Sequence, residues 1–471
     1  MTQLLRLLVV LLAALVLVTT VLLYSQREAA LAGSGWVAKR VCSGVFVADR
    51  DPDALTEASL PLPLPIPIPA EIDRDAQTVT AYFARFFAPS TARYRAGLGC
   101  TLDAAEGTTS PLDGKILPER TPGRPLPERL GLAGFDEAIG PAFEIPANPD
   151  DEGPTPQTRA VVVLHHGAIV AERYATGFSA ATPLPGWSMT KSITSTLIGL
   201  LAQEARVDVM APVGLEEWSD PSDPRHNITW DQLLRMSSGL AFSEDYSAID
   251  SDAIRMLFGR DRFDRGRYAA LRPLEFEPDT FWSYSSGTTN LLQYALLHQV
   301  FDGDLDRYLR FPGEALFGPV GMTSAVLEPD ASGVFVGSSH LLATARDWAR
   351  YGQLYLDRGR VAGRSLLAEN WVDYTARPTP TNTDGTYGAH WWLNAEPTSA
   401  SNEAERRFAR LDPNIFMASG FEGQYVVVVP NDDLVIVRLG LDRGQRVDLE
   451  GLVARVVDAA RRNQGPAERD G

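Results

Sequence analysis

Two pairs of strand-like runs, apolar on both faces, lie far apart in the chain, and that separation constrains the fold more than any other feature. In the first pair, Val161-Val162-Val163-Leu164 leads through the turn His166-Gly167 into a returning run from Ala168 to Tyr174. In the second, Tyr425-Val426-Val427-Val428-Val429 and Leu434-Val435-Ile436-Val437 flank the turn Pro430-Asn431-Asp432-Asp433. Runs with no polar face must be covered on both sides, so these strands belong at the centre of a sheet. Leu449, Leu452, Val453, Val456, Val457 and Ala460 follow the i, i+3, i+4, i+7 rule and predict a covering helix. Residues 188–360 read mainly as helices and loops. The expected fold class is α+β: an antiparallel sheet flanked by helices, with an inserted helical region and a cleft between the two halves.

Four segments follow from this reading: 1–35, 36–157, 158–463 carrying the sheet, and a disordered tail at 464–471. Within the first, Leu7 to Leu23 is uncharged and apolar except for Thr19 and Thr20. As a helix it would span roughly 26 Å, slightly short of a bilayer core. A retained signal-anchor is favoured over a cleaved signal peptide, for which Ala30 and Ala32 offer an A-x-A-like site. Either one places the rest outside the cytoplasm, at a membrane or secreted. The charges run the other way, since Arg27, Lys39 and Arg40 follow the segment and only Arg6 precedes it. Residues 36–157 read as a proline-rich arm and linker. Residues 60–69 alternate proline with leucine or isoleucine, as an extended strap would. Residues 74–88 are expected to be helical, with Val79, Tyr82, Phe83, Phe86 and Phe87 on one face, and 103–157 mostly irregular.

A formal charge of −17 and the lack of clustered cations exclude a nucleic-acid partner. The basic residues are uneven in kind. Only Lys39, Lys115 and Lys191 are lysine, and the other 40 are arginine. Arginine keeps its proton at any workable pH, whereas a desolvated lysine can lose it. Lys191 stands three residues after Ser188, in Gly186-Trp187-Ser188-Met189-Thr190-Lys191-Ser192. If a helix begins near Ser188, this spacing stacks the amine close to the hydroxyl. Serine becomes a useful nucleophile only when a neighbour takes its proton, and the free N–H groups of a helix start suit a developing oxyanion. The blander alternative is a Ser188 that caps the helix beside a solvated Lys191.

Two further segments carry chemistry. Phe281-Trp282-Ser283-Tyr284-Ser285-Ser286-Gly287 places a tyrosine in a small-residue loop before a helix running from Leu291 to Val300. Tyr284 could relay a proton if Lys191 lowers its pKa. Ala418-Ser419-Gly420-Phe421-Glu422-Gly423-Gln424 is glycine-rich and precedes a buried strand, so substrate could approach the strand edge closely.

At these residues the sequence resembles the penicillin-binding-protein-like serine hydrolases related to class C β-lactamases, above all the branch of 6-aminohexanoate-oligomer hydrolases and similar esterases. The resemblance runs over roughly 160–440. Besides the segments quoted, it includes 229–240, from Thr229-Trp230-Asp231 to Ser238-Gly239-Leu240, and 343–352, from Ala343-Thr344-Ala345 to Tyr351-Gly352. It implies Ser188 as nucleophile, Lys191 as its activator and Tyr284 as second acid/base. It also implies an oxyanion hole from the N–H groups of Ser188 and Phe421 beside Gly420, and a substrate-contacting Tyr246. Two departures stand out: Ser286 replaces the asparagine of Y-x-N, and Gly420-Phe421-Glu422 replaces K-T-G. The lost cation would have met a β-lactam or peptide carboxylate. Cys42 and Cys100, the only cysteines, lie in matching flanking segments, which implies a disulfide outside the cytoplasm.

The expected activity is cleavage of a small-molecule ester, amide or peptide through an acyl-enzyme, with no cofactor. The alternative is a membrane-anchored, catalytically weak protein that binds cell-wall peptides. His165-His166 is not read as a metal pair, because adjacent strand residues point to opposite faces. Gly186-x-Ser188-x-Thr190 lacks the final glycine of an α/β-hydrolase elbow.

Overall fold

Helix α1 (Arg27–Cys42) opens the well-packed part of the chain in the computed structural model, which describes residues 5–14, 24, 26–57, 68–104, 109–121, 123–144, 157–397, 406–442 and 447–463. Residues 5–14 are helical and exposed. No described helix is long and apolar enough to cross a membrane. Residues 15–23, where the expected anchor continues, most of the proline strap and the tail at 464–471 lie outside the described residues. Ala30 and Ala32 are buried within α1.

The helix expected over 74–88 is replaced by strands. A four-stranded antiparallel sheet runs in the order β1 (Ala70–Asp73), β2 (Thr78–Phe83), β3 (Phe87–Arg95), β4 (Gly99–Leu102). Ala84 and Arg85 both have positive φ, 50° and 73°, which is the backbone of a tight hairpin turn rather than of a helix. Val79 and Ala81 alternate inward, and Phe86, assigned to the apolar face of the expected helix, is exposed at the turn. The inward side chains pack with Ala92 and Cys100 against Trp36, Val37 and Val41 of α1. The disulfide Cys42–Cys100 joins the end of α1 to β4. Buried Glu328 fixes this layer to the body of the protein. It pairs with Lys39, accepts the Ser43 hydroxyl at 2.9 Å and accepts the Cys100 backbone N–H at 2.7 Å.

The main sheet matches the expected plan. β5 (Gln157–His165) and β6 (Ala168–Tyr174) pair as a hairpin, and the chain returns to add β7 (Trp392–Leu393), β8 (Phe416–Gly420), β9 (Gln424–Val429) and β10 (Leu434–Leu441). The order is β7-β8-β9-β10-β5-β6, antiparallel throughout. β10 lies against β5, which brings the two doubly apolar pairs side by side. On one face Val161, Val163, Val427 and Ile436 bury against Leu452, Val453, Val456 and Val457 of the C-terminal helix α5 (Leu449–Asn463). On the other, Val162, Leu164, Val426 and Val435 pack with Ile193 and Leu197 of α2 (Met189–Gln203) and Trp348 of α4 (Ala345–Leu356). Helix α3 (Ser286–Ala295) completes the inserted helical region. The start of α2, the loop before α3 and the end of β8 converge.

Candidate active site

Ser188 is the residue just before α2, and its hydroxyl makes no capping bond to the helix. The capping alternative therefore fails, and the hydroxyl is engaged elsewhere. One turn on, the buried Lys191 amine donates to Ser188 Oγ at 3.2 Å, to Ser286 Oγ at 3.0 Å and to the Ser338 carbonyl at 3.2 Å. Among the described residues no carboxylate forms an ion pair with it. Burial lowers its pKa to about 8, against an opposing pull from the nearby Glu244 carboxylate. A substantial neutral fraction near pH 8 makes this amine a competent proton acceptor for the hydroxyl it touches.

Tyr284 stands over the same pair. Lys191 Nζ lies 4.7 Å from its ring centroid, and the Ser188 side chain is near enough to its hydroxyl to pull the phenol's pKa down. The expectation that Lys191 would lower its pKa is not met. Burial and the Glu244 charge push the phenol up, outweighing the opposite pull of Ser188. Tyr284 is thus a proton donor held in its neutral form, not a phenolate base. Its ring stacks on Trp392 at 5.5 Å and meets Tyr387 edge-on at 5.9 Å, which fixes its direction.

Ser286, the first residue of α3, links the amine to an acid that sequence reasoning passed over. Glu244 accepts the Ser286 backbone N–H at 2.7 Å and its hydroxyl at 2.5 Å. Tyr246 donates to Glu244 at 2.5 Å, approaches Ser286 Oγ at 3.4 Å, and places its ring 5.7 Å from that of Phe421. A continuous chain therefore runs from Ser188 through Lys191 and Ser286 to Glu244.

The backbone around Ser188 and Phe421 is tightly built. A Cβ added at Gly420 would stand 2.2 Å from the Gly186 carbonyl and 3.2 Å from the Ser188 nitrogen, so only glycine fits there. That approach brings the end of β8 against the nucleophile turn. Among the described residues, the N–H groups of Ser188 and Phe421 have no acceptor, so both remain available for an oxyanion. Glu422, which follows, is buried and paired with Arg40 of α1. The Arg40–Glu422 pair carries no sequence signal, because the residues are 382 positions apart. Among the described residues there is no cluster of His, Cys, Asp or Glu suited to a metal.

The family model for beta-lactamase matches residues 157–455, which span both the sheet and every one of these groups except Arg40. The chain belongs to the beta-lactamase family. It is 25% identical over 303 residues to the 6-aminohexanoate-dimer hydrolase of Paenarthrobacter ureafaciens, covering 60% of this chain and 72% of that one. Its fold is similar to that of a Bacillus anthracis protein described as a candidate 6-aminohexanoate-dimer hydrolase, with a TM-score of 0.57, 21% identity, and coverage of 73% and 89%. A family VIII carboxylesterase shares the fold at a TM-score of 0.52 and 16% identity, over 70% of this chain and 97% of that one. This beta-lactamase-family chain is accordingly a serine hydrolase. The N-terminal layer, α1 with β1–β4, lies outside the matched residues.

Proposed function

We propose that the protein cleaves small-molecule esters or linear amides through an acyl-enzyme on Ser188. The observation that carries this reading is the contact of Ser188 Oγ with a buried lysine amine whose pKa is near 8. Ser188 Oγ attacks the carbonyl carbon while its proton passes to neutral Lys191. The oxygen that becomes negative is received by the N–H groups of Ser188 and Phe421. Tyr284 then protonates the leaving alkoxide or amine as the bond breaks and takes the Lys191 proton in its place, which returns both groups to neutral, and water releases the acyl group along the same proton path.

The replacement of K-T-G by Gly420-Phe421-Glu422 favours uncharged acyl groups and linear amides over β-lactams. Similarity to a 6-aminohexanoate-dimer hydrolase supports the linear-amide reading. We place the protein outside the cytoplasm, held at a membrane by residues 7–23. The Cys42–Cys100 bridge supports the compartment, since such bonds persist in oxidising surroundings. Fractionation with N-terminal sequencing of the mature chain decides between anchor and cleaved leader.

The test of the reaction is Ser188→Ala, assayed on p-nitrophenyl acetate and on a linear 6-aminohexanoate amide, with fluorophosphonate labelling in parallel. Turnover should fall at least about a hundredfold and labelling should vanish. Undiminished turnover in the folded variant overturns the reading, and an unlabelled native protein that binds peptides without hydrolysis would make it a binding protein instead.

A further inference from the structure

We infer that Arg40, from the N-terminal helix outside the family-matched residues, is a positioning residue for the oxyanion hole, an inference that rests on the acyl-enzyme reading above. Arg40 Nη1 donates to both oxygens of the Glu422 carboxylate, at 3.1 and 3.4 Å. The Trp187 indole N–H donates to Oε2 of the same carboxylate at 3.3 Å. Trp187 immediately precedes Ser188 and Glu422 immediately follows Phe421. One carboxylate therefore ties together the two residues that flank the proposed oxyanion donors.

Both of these residues are held in a backbone conformation that bulky side chains seldom adopt. Trp187 has φ 48° and Glu422 has φ 60°. Such a conformation persists only where its surroundings over-determine it. Here the constraint comes from α1. Trp36 stacks on Trp187 with ring centroids 5.1 Å apart and meets Phe421 edge-on at 6.2 Å. The Arg40 guanidinium lies 5.6 Å from the Trp36 ring and 5.8 Å from the Trp187 ring. The Glu422 side chain is 1% exposed and that of Arg40 is 11% exposed, so the pair is almost out of water. Without the guanidinium, the carboxylate would be buried with only the indole N–H as a side-chain partner. It would then turn outward, and the turn at 421–422 would move with it.

A misplaced oxyanion donor weakens the transition state more than substrate binding. Arg40→Gln should therefore lower kcat on p-nitrophenyl acetate by about 10- to 100-fold with KM changed by less than about threefold. Inhibition by a phenylboronic acid, which becomes a tetrahedral anion on the serine, should weaken by the same factor as kcat. Arg40→Lys restores a charge to Glu422 and should recover part of the loss. Trp187→Phe keeps the ring stack and removes only the indole donor, so it should give the same kcat-selective pattern in milder form.

Native kcat in both Arg40→Gln and Trp187→Phe, beside an inactive Ser188→Ala, overturns this inference and leaves the hydrolase reading standing. Active Ser188→Ala overturns that reading instead. A loss confined to KM, or no recovery in Arg40→Lys, counts against positioning. If Arg40→Gln fails to fold, Trp187→Phe alone decides, by its kcat and boronate affinity.

Discussion

Glu244 accepts both the backbone N–H and the hydroxyl of Ser286, which places a carboxylate at the start of α3, where the β-lactamase pattern has an asparagine two residues after the tyrosine. An acid at a helix N-terminus is favoured by the exposed N–H groups there. From that place its field reaches the reacting groups and raises the pKa of both Lys191 and Tyr284.

The first prediction is a pH profile. Lys191 must be neutral to take the Ser188 proton and is protonated below its pKa. The value of kcat/KM should therefore rise about tenfold per pH unit below pH 8 and level off above it. Glu244→Gln removes the charge that favours the ammonium, so the rising limb should move to lower pH. Tyr284, pushed up by burial, should contribute no fall on the alkaline side up to pH 10. A limb that stays in place in Glu244→Gln would separate Glu244 from the amine.

Lys191→Arg keeps the positive charge and discards the base. Activity should fall at least about a hundredfold on every substrate, measured as kcat/KM. Near-native rates would mean that Lys191 acts only as a charge.

Lys191→Met should show that the amine is held at a cost to stability. The folded protein binds the Lys191 proton less tightly than the unfolded chain does, so burial of the ammonium opposes folding fully below pH 8. The opposition fades between pH 8 and about 10.5 as the folded-state amine is already neutral. At pH 7 the penalty is of order 3 kcal/mol, reduced by the three hydrogen bonds that the variant loses. The change in Tm caused by Lys191→Met should thus be more favourable at pH 7 than at pH 10 by several degrees, while activity is abolished at both.

Tyr284→Phe should separate leaving groups. p-Nitrophenolate leaves without a proton, whereas an amine does not. Amide turnover should fall by about 10²- to 10⁴-fold and p-nitrophenyl acetate turnover far less. Equal losses on both would assign Tyr284 to the orientation of Ser188 rather than to proton donation.

How much of this was legible in the sequence depends on distance along the chain. The sheet could be read because Val161–Leu164 and Tyr425–Val429 have no polar face, a local property that demands a central position. Ser188 and Lys191 could be read because one helical turn brings them together. Glu244 meets Ser286 across 42 residues and Arg40 meets Glu422 across 382, and no local pattern encodes either contact. Helix α1 was missed for a different reason. Its Gly33-Ser34-Gly35 run is poor in helix formers, yet a Cβ at Gly35 would stand 2.3 Å from the Phe258 carbonyl, so close packing selects the residue that propensity disfavours. The strands at 78–95 were misread because aromatic spacing fitted one face of a helix, while the turn at Ala84-Arg85 had no glycine to announce it.

The last prediction concerns the bridge between Cys42 and Cys100, which closes a sequence separation of 58 residues. In the chain-entropy account, a loop of this length contributes about 4 kcal/mol by restricting the unfolded chain. The bridge ends α1 two residues after Arg40, yet α1 is also held by the Trp36–Trp187 stack, the Arg40–Glu422 pair and the buried Lys39–Glu328 pair. Those contacts do not depend on the sulfurs. Reduction, or the double variant Cys42→Ser with Cys100→Ser, should therefore lower Tm by several degrees while kcat at room temperature changes by less than about fivefold. Differential scanning calorimetry and ester hydrolysis on the same samples measure both quantities. A kcat loss as large as that of Arg40→Gln, in protein that is still folded, would mean that the bridge itself holds α1 against the nucleophile turn.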